Sequence, residues 1–220
     1  MYINYLKKYF LWIFSIIVNA FGNCLLIESN IGSGPWIAAS MGIAKSSHLQ
    51  IGVCTIILNF LVYVPIIIIS KKFNLIKLIG SFFVAYIFGI FLDLFLNIFS
   101  ILNLNNLIFR GVLFLMGDIV LSAGISVYLR LNIAVNPFDQ FLKTVNEYLI
   151  PDMKKANWVY LGVPFILAIL FGIYNNFDFT GIGVGTLFMF LLNGVFIKFF
   201  NKKINIPMEI LSPRRYIQKH

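Results

Sequence analysis

Six long apolar runs divide this chain, and they constrain its fold more than any other feature. Each run approaches the roughly 20 residues that a helix needs to cross a bilayer. Only helices and closed barrels satisfy their backbone hydrogen bonds in lipid, and the runs lack the alternating polarity of barrel strands. We therefore predict an all-α, polytopic membrane protein with a single domain over residues 1–220. The predicted spans are 9–28, 50–70, 75–99, 107–130, 157–174 and 185–200.

Basic residues are divided unevenly between the loops, although the net charge is +9 and only 11% of the residues are charged. One side of the predicted membrane carries most lysines and arginines, whereas the other keeps only Lys45 and Arg110. The positive-inside rule then places both termini in the cytoplasm. Residues 201–220 are predicted to be a basic tail, lying on the anionic leaflet or disordered in water. Because the charge flanks apolar runs, we do not expect nucleic acid as a partner.

A short motif interrupts the apolar runs at 30–36 and recurs, altered, at 132–138. Three spans accompany each copy, so the second copy enters the membrane from the opposite side. The pattern predicts two inverted three-helix repeats, at about 9–99 and 107–200. The offset is 102 for Gly22/Gly124, Asn30/Asn132, Ile31/Ile133 and Pro35/Pro137, and 105 for Gly80/Gly185 and Gly89/Gly194.

Each copy of the motif is predicted to begin a short helix, at 34–46 and at 137–149. In the second copy Asn136 is the predicted N-cap, Pro137 takes the first helical position and Asp139 the third. In the first copy Gly34 or Ser33 caps the helix, and Pro35 begins it. The residues that follow the two prolines are Trp36 and Phe138.

Two interpretations of these short helices remain open. If they re-enter the membrane, the positive ends of both helix dipoles point into a shared cavity that favours anionic or polar solutes. If they lie flat, each is an amphipathic helix at its own interface. The charged face of 137–149 favours the flat interpretation, whereas the nearly uncharged 34–46 favours partial re-entry.

Several polar side chains lie within the predicted spans and need partners there. Asp118 falls eleven residues into the fourth span, about 16 Å deep, near the midplane. Asn19, Asn59 and Asn193 fall at similar depth, so we predict a solute or coupling-ion site around Asp118. The alternative is that these groups only bond to one another and hold the bundle together. Asp93 and Arg110 flank one loop and are predicted to form a structural ion pair.

The sequence contains no signal for catalysis, and we predict that the protein is not an enzyme. It has no Ser/His/Asp set, Cys/His pair or metal-ligand spacing, so neither a cofactor nor a metal is expected. Cys24 and Cys54 are predicted to be small buried hydrophobes. The glycines at 181–185 lack the lysine of a phosphate loop and predict a tight turn.

At the repeated motif the chain resembles the YitT/YczE-type bacterial membrane proteins. The shared residues belong to the two Pro-aromatic motifs and to the segment before the last span. One departure is Ile37, where an acidic residue is expected after Pro-Trp, as in Pro137-Phe138-Asp139. The resemblance implies a six-span protein of the bacterial inner membrane, of a group often labelled transporters or permeases. The shared residues are Gly22, Asn30, Ile31, Gly32, Gly34, Pro35, Trp36, Gly124, Ile133, Asn136, Pro137, Phe138, Asp139, Gly183, Gly185 and Thr186.

Three hypotheses about function follow. The first is a transporter or channel-like permease for an unidentified small solute, anionic or polar, with the short helices as gates. The second is a non-transporting scaffold or regulatory protein, and the third is a substrate-binding subunit of a multi-component transporter. The expected surroundings are the lipid bilayer. The sequence does not decide whether the chain forms a homo-oligomer or binds a partner membrane protein.

Overall fold

The computed structural model describes residues 2–100 and 106–211, and within them the chain forms nine helices and no strand. Each predicted span and both short helices correspond to a helix, although α1 begins seven residues and α7 four residues before the predicted start. The helices are α1 (Tyr2–Ser29), α2 (Pro35–Ser47), α3 (Ile51–Ser70), α4 (Leu75–Phe99), α5 (Leu107–Leu131), α6 (Pro137–Tyr148), α7 (Met153–Tyr174), α8 (Val184–Lys203) and α9 (Met208–Leu211).

Five helices of the described chain, α1, α3, α4, α5 and α8, are long and apolar enough to cross a membrane. The sixth predicted span corresponds to α7, whose apolar part, Trp158–Tyr174, is shorter. Large apolar side chains point outward along these helices, as Ile68 and Leu191 do with 69% and 72% of their surface exposed. Lipid is the environment that suits such a surface, so the chain is a multi-pass membrane protein.

The antiparallel pair α1 and α5 forms the centre of the bundle, with α4 packed on α1 and α8 on α5. Two glycines allow the two central backbones to touch. A Cβ atom on Gly22 would lie 2.5 Å from the backbone nitrogen of Leu121, and one on Gly124 would lie 2.9 Å from that of Asn19. Small residues at a crossing permit this approach between membrane helices.

Both short helices lie inside the protein. Helix α2 packs against α3 and α7, and nine of its 13 residues are buried. The apolar face of α6, with Phe141 and Val145, also packs against α3 and α7. The starts of the two helices meet, because the rings of Trp36 and Phe138 stack with centroids 4.1 Å apart.

The first part of the basic tail is folded against the bundle. Ile206 is buried, α9 contacts α1, and Lys8 Nζ donates a 2.8 Å hydrogen bond to the carbonyl of Leu211. Residues 204–211 are therefore folded against α1 and α5, and the predicted alternative of a disordered tail is wrong for them. Residues 212–220 lie outside the described chain.

Candidate functional site

The predicted polar cluster around Asp118 is divided among three places. Asn193 lies beside Asp118, and its Nδ2 donates to Asp118 Oδ1 at 2.8 Å. Asn19 instead accepts a 2.8 Å bond from Asn23 on its own helix. Asn59 donates to the carbonyl of Thr55, 2.9 Å away, within α3. Two of the four predicted residues therefore lie outside the cluster.

The packing partners of each helix explain why Asn59 does not lie beside Asp118. Counting residues along a span gives depth, but it does not give the direction that a side chain faces. Helix α5 packs on α1 and α8, whereas α3 packs on α2, α4 and α6. Asp118 itself is fully buried and lines neither of the two cavities described below.

The predicted ion pair between Asp93 and Arg110 is not formed. Asp93 accepts hydrogen bonds from the amides of Gly52 and Val53, at 2.6 and 3.2 Å, and so caps the start of α3 from the neighbouring helix. Arg110 Nε donates to the carbonyl of Ser29, 2.7 Å away, at the end of α1. Each charge therefore stabilises the terminus of a helix, where the dipole has the opposite sign.

This arrangement predicts that the two charges act independently. Asp93→Ala should lower the free energy of unfolding by about 1–3 kcal/mol, because two buried amides lose their acceptor. Arg110→Ala should add to that loss with a coupling energy below about 0.5 kcal/mol. Thermal melts of the purified single and double variants measure the coupling. A coupling above about 1 kcal/mol would instead indicate a direct ion pair.

A large cavity opens at the end of the bundle where α1 begins, which we call the N-terminal face. Its volume is about 750 Å³, within the range of small-molecule sites. Apolar and aromatic side chains such as Trp12 and Phe83 line it together with polar residues of α6. The lining residues are Tyr9, Trp12, Ile13, Ile76, Lys77, Ile79, Gly80, Phe83, Asn132, Ile133, Ala134, Val135, Gln140, Lys143, Thr144 and Glu147.

A small cavity of about 60 Å³ lies at the opposite end, which we call the far face. Seven of its residues occupy the same places in the repeat as seven residues of the large cavity. Asn30 to Ser33 correspond to Asn132 to Val135, and Met41 corresponds to Lys143, at the offset of 102. Gly181 and Ile182 correspond to Ile76 and Lys77 at 105. The two cavities thus lie at equivalent positions but differ more than tenfold in volume.

The glycine-rich segment before α8 closes the small cavity, and it is the tight turn that was predicted. Gly181 has a φ of +89°, which other residues rarely adopt. Its carbonyl accepts a 2.9 Å bond from the amide of Ser33, and the amide of Gly185 donates to the carbonyl of Ile31 at 3.1 Å. These two backbone hydrogen bonds hold residues 31–33 against residues 181–185 and close the bundle at the far face.

The starts of the two short helices meet at a place that we call the junction, formed by Trp36, Phe138, Phe141 and Tyr160. Phe141 and Tyr160 pack on the indole of Trp36, with ring centroids at 6.3 and 5.9 Å. Asn136 Oδ1 accepts from the amide of Phe138 at 2.9 Å, which confirms the predicted cap. Gly34 begins α2 without a side-chain cap.

One acidic residue belongs to the junction. The carboxyl of Asp139, in the first turn of α6, interacts electrostatically with the hydroxyl of Tyr160 on α7. Burial raises the pKa of Asp139 to about 7, although the charge of Lys143 and the nearby hydroxyl of Tyr160 both act to lower it. Sequence reasoning assigned Asp139 only a capping role and missed Tyr160, because no local pattern links one residue to another on a different helix.

The chain matches the profile of a family of unknown function, DUF6198, over residues 6–202. It is similar to the uncharacterized protein YyaS of Bacillus subtilis strain 168, with 25% identity over 194 residues, 88% of this chain and 92% of that protein. It is also similar to the uncharacterized membrane protein YczE of the same organism, with 25% identity over 187 residues, 84% of this chain and 80% of that protein.

No solved structure matches the chain significantly. The family match covers nearly the whole chain, and the similarity to YczE agrees with the resemblance at the two Pro-aromatic motifs. The chain therefore belongs to the DUF6198 family and is a YczE-like, multi-pass membrane protein.

Proposed function

We propose that this protein is a small-solute transporter of the bacterial cytoplasmic membrane that opens its two cavities in turn. The observation that carries the proposal is the pair of cavities, which have equivalent linings at opposite ends of the bundle and very different volumes. In a transporter built from inverted repeats, exchanging the conformations of the two halves opens one cavity and closes the other.

Equivalent contacts support the inverted repeat. The contact between Gly22 and Leu121 corresponds to that between Gly124 and Asn19 when each number is shifted by 102. In the same way, the ring contact of Trp12 with Phe83 corresponds to that of Phe114 with Phe188, at offsets of 102 and 105.

The stack of Trp36 on Phe138 joins two residues that are each other's equivalents. A twofold axis that relates the halves therefore passes between these two rings, as it does between α1 and α5. On this proposal the junction lies near the middle of the membrane, where it blocks passage between the cavities.

The orientation that we propose puts the N-terminal face in the cytoplasm, because the basic residues lie at that end. The large cavity then opens inward, and the described conformation is the inward-facing one. Lys77 and Lys143 line this cavity with Gln140 and Thr144, which suits an anionic or polar solute. The path that we propose runs past the junction and does not pass Asp118.

Cysteine accessibility tests this proposal with a matched pair of positions. Ser33 and Val135 are equivalent in the repeat, and each lines one cavity. In a background where Cys24 and Cys54 are alanine, Val135→Cys should react quickly with a membrane-impermeant maleimide added to the cytoplasmic side. Ser33→Cys should react slowly from the outer side, since Ser33 is only 1% exposed.

Closing the large cavity should reverse this pattern. A short bifunctional thiol reagent that joins Ile76→Cys to Gln140→Cys would tie α4 to α6 within the lining of the large cavity. Alkylation of Ser33→Cys should then rise at least several-fold. An unchanged rate at Ser33→Cys after a complete cross-link would contradict alternating access and favour a static scaffold.

A further inference from the structure

A polar contact lies between α5 and α8, near the middle of both helices. Asn193 Nδ2 donates to Asp118 Oδ1 at 2.8 Å and to Ser122 Oγ at 3.3 Å. Asp118 and Ser122 are four residues apart, so they share one face of α5. We call these three side chains the Asp118 site.

Half of the Asp118 carboxyl has no partner, although the residue is fully buried. The exposed fraction is 0% for Asp118 and for Ser122. Within the described ranges, Oδ2 has no hydrogen-bond partner and no lysine or arginine pairs with the carboxyl. An ionised carboxylate is costly in such a place, so a bound cation that removes its charge would stabilise it.

The ionisable groups of the neighbouring helices lie away from Asp118. On α5 itself the nearest are eight and ten residues distant, about 12 and 15 Å along the axis. Cys24 of α1 packs in the apolar cluster with α4, and Lys198 of α8 is exposed. The nearest titratable side chains along α1, α5, α8 and α9 are Cys24, Glu28, Arg110, Tyr128, Lys198 and Glu209.

The other half of the protein shows that this crossing does not require polar groups. The equivalent crossing, of α1 with α4, has three apolar side chains at these positions, all buried in one cluster. Apolar packing therefore suffices to hold two such helices together, and stability alone does not explain the Asp118 site. Asp118 corresponds to Ile16 and Ser122 to Ala20 at the offset of 102, and Asn193 corresponds to Phe88 at 105.

The cation that suits the Asp118 site is a proton. A hard metal ion takes several oxygen ligands, whereas the group that Asn193 turns toward the carboxyl is its amide nitrogen. Oδ1 already accepts the hydrogen of that amide, so the proton belongs on Oδ2. A neutral carboxyl is far less costly to bury than a carboxylate.

The small cavity would come within one turn of Asp118 if it opened. The large cavity is lined by Trp12 and Phe83, whose equivalents are Phe114 and Phe188. The rings of Phe114 and Phe188 are now in contact, with centroids 5.6 Å apart. If the two halves exchange conformations, these rings line the open small cavity. Phe114 lies four residues before Asp118, about 6 Å along α5.

We propose that Asp118 is a proton-binding residue that exchanges its proton with water at the far face. When the small cavity opens, the O–H bond breaks, the electron pair stays on the carboxylate, and the proton passes to water in that cavity. The ionised carboxylate then opposes the return of α8 to α5, because the charge would be buried without a partner. The exchange rests on the proposed function, whereas the binding of the proton does not.

Infrared difference spectra test for the bound proton. The spectrum of Asp118→Asn is subtracted from that of the unaltered chain, at pH 7, in a detergent without carbonyl groups. The C=O band of a protonated carboxyl should remain in the difference. Asp178→Asn is the matched control and should leave no such band, because Asp178 is ion-paired with Lys45 at the far face.

Asn193→Leu provides a second variant if Asp118→Asn does not fold. Its carboxyl band should move to higher wavenumber, because the C=O group loses the hydrogen bond from Asn193. A difference spectrum for Asp118→Asn that shows only carboxylate bands would overturn the proposal. An unmoved band in Asn193→Leu would overturn it as well.

Deuterium exchange tests whether the proton leaves toward the far face. The cross-link between Ile76→Cys and Gln140→Cys should speed the shift of the carboxyl band in D₂O at least several-fold. An unchanged exchange rate in cross-linked protein whose Ser33→Cys has become reactive would overturn the exchange. If Ser33→Cys never becomes reactive, the proposed function fails, while the carboxyl band still supports the proton at Asp118.

Discussion

Alanine at Gly22 or Gly124 should destabilise the protein by about 3 kcal/mol, at the upper end of the cost of overpacking. The added Cβ would meet backbone atoms of the facing helix, at 2.5 Å for Gly22 and 2.9 Å for Gly124, and backbone cannot rotate away. The central pair α1 and α5 would have to separate. Leucine at either position should prevent folding, measured as loss of a single elution peak in detergent.

Other glycines of the spans give a matched control. A Cβ on Gly111 or Gly194 would meet nothing within 4 Å. Alanine at these positions should leave the melting temperature unchanged or raise it, because alanine has the higher helix propensity by about 1 kcal/mol. Equal effects of alanine at Gly22 and at Gly194 would show that α1 and α5 do not cross as described.

Trp36→Ala should cost about 3–5 kcal/mol of stability, and Phe138→Ala a similar amount. Both side chains are buried where the short helices meet, with 5% and 7% of their surface exposed. The two losses should not add, because the second substitution finds the stack already broken. A double-mutant cycle measured by thermal melts should give a coupling of about 0.5–1.5 kcal/mol.

Trp158 provides the control for the size of the side chain. It is 67% exposed on α7, so Trp158→Ala should change stability by less than about 1 kcal/mol. Trp36→Phe should retain much of the stack, so its loss of stability should lie between the losses for Trp158→Ala and Trp36→Ala. If the losses of stability from Trp36→Ala and Phe138→Ala were strictly additive, the two rings would not be in contact. The junction could then not block passage between the two cavities.

The helices were largely predictable from the chain itself. The span at 75–99 agrees at both ends with α4, and the prolines at positions 35 and 137 begin α2 and α6 as expected. Hydropathy and proline act on the local chain, so their effects on helix formation can be predicted from a single sequence. The free thiols of Cys24 and Cys54 are buried, also as predicted.

The candidate site was less predictable. Depth along a helix placed Asp118 and Asn59 together, yet they lie on helices that do not pack closely. The same reasoning paired Asp93 with Arg110, whereas each contacts a helix terminus. Rotation of a helix about its axis depends on the shape of its neighbours, and no pattern within one span encodes it.

The sequence by itself determined the membrane environment, the number of long apolar segments and the equivalence of the two Pro-aromatic motifs, because each depends on composition or spacing along the chain. Only the tertiary structure decided that Trp36 stacks on Phe138, that Asp139 lies close to Tyr160 and that the two equivalent cavities are unequal. These features depend on contacts between helices distant in sequence, and packing sets which of those helices touch.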